Sequence, residues 1–196
     1  MRRVWRAPEQ AVACVRQVLQ NGCMGRLENL LGAMSLTLAD RVAAAGNGEG
    51  MSSSDQAAVV TLAAHPDETV SWLGNVLGLT SSGATRLVDR LVAAGWVRRS
   101  AGDDSRQRRL RLTREGGARA RRLLRTRQDL LIESLAPLDP AERAQLELIL
   151  ERLVSNLTSA HLPALTTCRM CDRSACREHD QLCPLDHTVP KVDAHG

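Results

Sequence analysis

Phenylalanine and tyrosine are absent from this 196-residue chain, and three tryptophans supply all of its aromatic side chains. A core without them must be built from Leu, Val and Ala, a palette that favours helices over a β-sandwich or barrel. Lysine is nearly absent too, with Lys191 its one instance, so arginine carries the positive charge. No run approaches the roughly 18 apolar residues that a bilayer-spanning helix needs. The opening Met1-Arg2-Arg3-Val4-Trp5-Arg6-Ala7-Pro8 is charged but has no apolar stretch behind it, which excludes a secretory signal and leads us to expect a soluble, cytoplasmic protein without membrane contact. Gly-rich phosphate loops, G-x-S-x-G elbows and H-E-x-x-H pairs are all missing, so an enzyme is not expected. With 43% hydrophobic residues, the length suits one globular domain, alone or with an appendage.

What is present is charge in one place. Residues 80–130 hold fourteen arginines against five acids, a local balance of +9, and the remainder of the chain carries −5. Segregation of this kind suits either a basic surface for a polyanion or a solvated Arg-rich helix face.

Apolar residues at three- and four-residue intervals predict helix over residues 9–45, with Gly22 and Gly25 as possible breaks. Turn residues at 45–54 end it. Ser54-Asp55 is positioned to cap a next helix that Pro66 stops, and Asp67-Glu68 to begin another that ends at Gly78. Thr80 then caps a helix running to about Ala94, with Ala84, Leu87, Val88 and Leu91 on its apolar side and Gly95 closing it. The period next changes to two: residues 96–100 and 108–113 read as a hairpin, in which Leu110 and Leu112 alternate with Arg109 and Arg111. Helical spacing returns over 114–136, and Asp139 caps a last helix over 141 to about 160. A helix pair joined by Leu77-Gly78-Leu79-Thr80 and followed by a basic hairpin is the order of a winged helix-turn-helix. The expected fold class is therefore mainly α with a small β-hairpin wing.

In such a motif the second helix enters the major groove, and its first residues meet base edges. Ser81, Ser82, Thr85, Arg86, Asp89 and Arg90 fall opposite the apolar side. Short hydroxyl side chains near a helix start reach bases or phosphates at close range, or else simply start the helix. Arg86 has the reach for a guanine edge, and Arg90, further along, for phosphate; both are equally able to be solvated or to pair with Asp89. At the hairpin, Arg106 is placed for the minor groove and Arg108 for phosphate, against the plainer reading of an ordinary surface turn.

The run from Leu79 to Arg99, then Asp103-Asp104-Ser105-Arg106-Gln107-Arg108-Arg109 and Leu110-Arg111-Leu112-Thr113-Arg114-Glu115-Gly116, resembles the recognition helix, wing and following helix of the MarR family over residues 52–157. The resemblance implies a homodimer, joined by the N-terminal and last two helices, on a pseudo-palindromic operator. It also implies that Asp104 and Arg106 brace each other in the wing, and that a small-molecule effector sits near the dimer interface. Without Tyr or Phe, that effector has no aromatic side chain of those kinds to stack on.

Beyond the matching stretch lies Cys168, Cys171, Cys176 and Cys183, spaced C-x2-C-x4-C-x6-C, the last followed by Pro184. In a cytosolic chain four close cysteines point to metal. Four thiolates fit tetrahedral zinc, and the two-residue spacing presents two sulfurs to one ion. An iron–sulfur cluster takes the same number and often closes on Cys-Pro. A thiol switch using Cys168 and Cys171 needs no metal. His179 and His187 rank below the cysteines as ligands, and Cys14 and Cys23 read as plain core or surface residues.

The expected organisation is an N-terminal dimerisation region (1–50), the winged helix (51–115), C-terminal dimerisation helices (116–163) and a Cys-rich metal-binding tail (164–196). The expected activity is sequence-specific transcriptional regulation of double-stranded DNA, as a repressor, with the four-Cys metal site either structural or sensory. Its alternatives are a redox-sensing iron–sulfur or thiol-switch regulator, and a protein-interaction module that uses the winged helix as a docking surface.

Overall fold

A computed structural model describes residues 25–47, 50–101 and 108–189. The chain divides into two units, residues 1–41 and 42–196. In order, the described elements are α1 (Arg26–Asn47), α2 (Ser53–Ala64), β1 (Glu68–Thr69), α3 (Val70–Val76), α4 (Ser81–Ala93), β2 (Val97–Ala101), β3 (Arg108–Leu112), α5 (Arg114–Leu135), α6 (Pro140–Ser155) and α7 (His161–Thr167), followed by two short 3-10 turns. The mainly helical fold with a β-hairpin wing is thus the one expected. Cys14, Cys23 and the first part of the expected N-terminal helix lie outside the described residues. Among the described residues no helix is long and apolar enough to cross a membrane.

Helix α2 is the centre of the second unit. Every residue from Asp55 to Leu62 is buried, so this helix has no solvent face over two turns. Val59, Val60 and Leu62 meet Leu73, Leu87, Val88, Leu91, Val97, Leu110 and Leu123 in one aliphatic cluster, which Trp72 and Trp96 flank without entering fully. The chain before α2 is fixed by Gln56, whose Nε2 donates to the carbonyls of Met51 at 3.1 Å and Ala43 at 3.3 Å.

The helix pair α3–α4 crosses tightly because Gly74 has no side chain: a Cβ there would lie 2.8 Å from the Cβ of Ala84. Gly78 makes the turn between them at φ +65. Strands β2 and β3 pair antiparallel from Val97 opposite Leu112 to Ala101 opposite Arg108. At the base of this hairpin Thr113 Oγ1 donates to the Gly95 carbonyl at 2.7 Å and caps α5 by accepting from Gly116 N–H at 3.1 Å. The first turn of α5 therefore presses on Trp96, and Arg119 stacks over the Trp96 ring at 4.5 Å.

Three local expectations need correction. The cap of α2 is Ser52, not Ser54-Asp55; Asp55 answers it three residues later in a reciprocal capping box. Asp67-Glu68 does not open a helix. Asp67 takes a left-handed φ of 66, Glu68–Thr69 forms a third strand against β3, and Thr69 caps α3. A two-residue strand has no alternation to read, so it left no periodic trace. The last long helix stops at Ser155, because the side chains of Asn156 and Thr158 take up neighbouring backbone groups. A further helix, α7, then begins at His161.

The adjacent glycines of α5 separate close packing from helix propensity. A Cβ on Gly116 would stand 2.0 Å from the Trp96 carbonyl oxygen, whereas one on Gly117 meets only the end of Arg121 at 3.5 Å. Gly116→Ala should cost about 1–3 kcal/mol in thermal or urea unfolding through overpacking. Gly117→Ala should be neutral, or stabilising by up to roughly 1 kcal/mol.

Candidate nucleic-acid interface

Helix α4 is amphipathic with a clean division. Ala84, Leu87, Val88 and Leu91 are buried in the core, while Ser81, Ser82, Thr85 and Arg86 are exposed along the opposite side. Thr80 caps it, accepting from Gly83 N–H at 3.2 Å, so the first turn keeps its other N–H groups for an outside acceptor. Thr85 Oγ1 donates back to the Ser81 carbonyl at 3.0 Å. Arg108 is exposed at the start of β3. Arg106, with Asp104, lies outside the described residues.

Arg90 is placed differently from its neighbours. Its Nε and Nη2 both donate to Asp55 Oδ1, at 3.2 and 2.8 Å. Asp55 is 5% exposed and also accepts from the backbone N–H and hydroxyl of Ser52. One buried carboxylate thus caps α2 and clamps the last turns of α4. Asp89 pairs not with Arg86 or Arg90 but with Arg99 of β2, at 2.6 Å, which ties the helix to the wing. Arg111 and Asp67 form a two-pronged pair, with Nη2 to Oδ2 at 2.6 Å, and Arg109 Nη1 donates to the Asp67 carbonyl at 3.2 Å. The hydrogen bond from Arg111 holds the Asp67 carboxyl below its ordinary value of 3.8. Sequence reading placed Asp55 and Asp67 at helix starts and missed their pairing with Arg90 and Arg111. Asp55 was visible as an acid three residues after Ser52, and neither pairing left a signal.

The four tail cysteines line a single cavity of about 80 Å³, shared with Val60 and Thr61 of α2, His65 just after it and Val76 of α3. The Cys168 thiol donates to Cys171, which lowers the Cys171 pKa to about 6, with Arg127 and Arg169 assisting, and pushes Cys168 up. Burial raises Cys176. His187 does not line the cavity; its ring nitrogens face the carbonyls of Pro184 and Thr158. The His179 side chain lies outside the described residues. His65 accepts from Arg173 at 3.0 Å and is held neutral chiefly by burial, then by Arg173 and His161. Among the described residues, no three His, Cys, Asp or Glu side chains are gathered closely enough to hold one ion as they stand.

The basic hairpin, the capped helix and the tight crossing before it carry a signature at the level of sequence. Residues 50–107 match the MarR family model. The match spans the helix-turn-helix and the wing. The transcriptional repressor MprA of Escherichia coli K12 is 33% identical over 103 residues, 51% of this chain and 58% of that protein, and the same repressor from the O157:H7 strain matches to the same extent. The chain therefore spans little more than half the length of these curated relatives. Among solved structures, apo MarR of E. coli superposes with a TM-score of 0.56 at 24% identity, covering 67% of this chain and 98% of that one. The YusO protein of Bacillus subtilis gives 0.57 at 20%, covering 77% and 99%. A MarR family protein of Mycobacterium tuberculosis, solved in complex with salicylic acid, gives 0.54 at 23%, covering 67% and 98%. These structural likenesses establish the winged-helix fold.

Two acids inside this site make separable predictions. Asp55→Ala removes a cap and a buried charged acceptor, and should cost about 2 kcal/mol in urea unfolding. Asp67 has a folded pKa below its unfolded one, so its contribution is complete above pH 3.8 and is lost as pH falls through the lowered value. Asp67→Asn should therefore melt below wild type near pH 7, and the gap should close in acid.

Proposed function

We propose that this chain is a DNA-binding transcriptional regulator of MarR type, a repressor that acts as a homodimer on a pseudo-palindromic operator. The observation that carries this reading is the outer face of α4. Ser81, Ser82, Thr85 and Arg86 stand exposed on a helix whose inner face is locked into the core, beside a wing that presents Arg108. Ser81, Ser82 and Thr85 would meet bases or phosphates at the groove floor and wall, and Arg86 would fork onto a guanine edge. Arg108 would meet phosphate and Arg106 the minor groove. Arg90 is already engaged by Asp55, so its part in DNA binding is first to hold the reading helix at its angle; any phosphate contact would come from what remains of its guanidinium.

Dimerisation is supported by apolar surface that one chain leaves bare. Helix α6 buries none of its residues, yet carries Leu148, Ile149, Leu150 and Leu153, each at least 45% exposed. A helix of this length is marginal in water unless a face is covered. Helix α1 likewise exposes Leu27, Leu30, Leu31 and Leu36. A second copy supplies matching faces, and two-fold symmetry then matches a palindromic operator. Repression is the role named for the curated relatives. The four cysteines are proposed as ligands of one thiophilic centre, zinc or an iron–sulfur cluster, with a metal-free thiol switch as the other possibility.

Duplex binding measured against salt tests the reading, with the log–log slope expected near −0.9 per neutralised phosphate. Arg108→Ala should weaken binding to all sequences and reduce the slope by about one, whereas Arg86→Ala should erase about 1–3 kcal/mol of preference at a single base position. Binding that is indifferent to salt would instead assign the winged helix to protein docking.

A further inference from the structure

The Cys-rich segment is not a free appendage. Thr166, two residues before Cys168, donates from Oγ1 to the Val76 carbonyl at 3.0 Å, on the last turn of α3. Thr61 of α2 donates from Oγ1 to the Arg169 carbonyl at 3.2 Å, one residue after Cys168. Arg173, between Cys171 and Cys176, donates to His65 at the end of α2 at 3.0 Å. Met170 packs against the central cluster. The first two cysteines are therefore bracketed by bonds to the two helices that support the reading helix. Cys176 and Cys183 follow on a 3-10 turn and the loop after it, joined by the Arg177–Asp186 pair at 3.2 Å.

Arg169, Arg173 and Arg177 line the same cavity, with Asp186 paired to Arg177. Guanidiniums grouped around sulfur suit a centre of net negative charge, which four thiolates around a divalent ion or an iron–sulfur cluster would be. The four sulfurs share the cavity without having closed on a common point.

We infer that a thiophilic metal centre held by Cys168, Cys171, Cys176 and Cys183 sets the affinity for DNA, acting through the Thr61 and Thr166 anchors on the helices that carry α4. This rests on the DNA-binding reading above and adds its control. When an ion such as Zn²⁺ binds, each ligating thiol releases its proton to solvent and no electron moves. The tail then becomes a rigid strap across α2 and α3, and the angle of α4 is fixed. Loss of the ion or cluster frees the strap and weakens binding. Coupling between sites of this kind is on the order of 5- to 150-fold in affinity.

The test uses the full chain, purified without oxygen, and a duplex enriched by that chain from a random-sequence pool. Iron and sulfide with a brown colour identify a cluster; colourless protein that takes up one Zn²⁺ per chain, with thiolate-to-metal bands when Co²⁺ is the probe, identifies a single ion. Either result is expected, together with at least a fivefold fall in duplex affinity once a chelator has stripped the protein, and reversal on reloading. Thr61→Val with Thr166→Val should bind the same metal but lose most of that fall, which separates coupling from folding. Cys176→Ser and Cys183→Ser should lose the metal, with circular dichroism confirming the fold. Metal bound with unchanged duplex affinity overturns the coupling, and failure to bind Zn²⁺ or a cluster overturns the site. If loaded and stripped protein alike bind no duplex, the DNA-binding reading fails, whatever the metal result.

Discussion

A carboxylate buried at the start of a helix needs donors and a cation in place of water, and this constraint governs the arrangement around α2. Ser52 and Asp55 satisfy that end reciprocally. A carboxylate so far from solvent then needs a cation, and Arg90 of α4 provides it. Capping one helix and aiming another are consequently a single interaction. The central cluster follows from the same helix, since Val59, Val60 and Leu62 can face α3, α4, α5 and β3 only while α2 holds its place.

Helix α4 was legible in the sequence because each local signal agreed with the others. Thr80 caps, Gly95 takes the positive φ, and the Ala84, Leu87, Val88, Leu91 spacing matches one helical face. The hairpin showed for the same reason, through the alternation about Leu110. What stayed hidden depends on partners distant in sequence. The Arg90–Asp55 pair spans 35 positions and the Asp67–Arg111 pair 44, and nothing within a local window distinguishes them from solvated charges. The docking of α7 rests on Thr166 and a buried Ala164, residue types that carry no directional signal of their own.

The charge segregation acquires a physical location. Arg86, Arg98 and Arg108 are exposed on α4, β2 and β3, while Asp67 and Asp89 each engage an arginine of the hairpin. Acids in this region thus brace the basic elements and leave part of their charge uncancelled. The cysteines were legible as a set by spacing alone, but their position against α2 and α3 was not, because the spacing is silent about what Thr61 and Thr166 hold.

Along α4 the inward residues and Arg90 answer to the fold, whereas Ser81, Ser82, Thr85 and Arg86 are not buried in it. Substitutions at those four positions change little of the packing and cost little stability. Under the proposed function the helix is therefore free to diverge in base preference while its scaffold stays constant. Duplicated copies of such a chain would acquire new targets through a few surface exchanges, with no repacking of the interior.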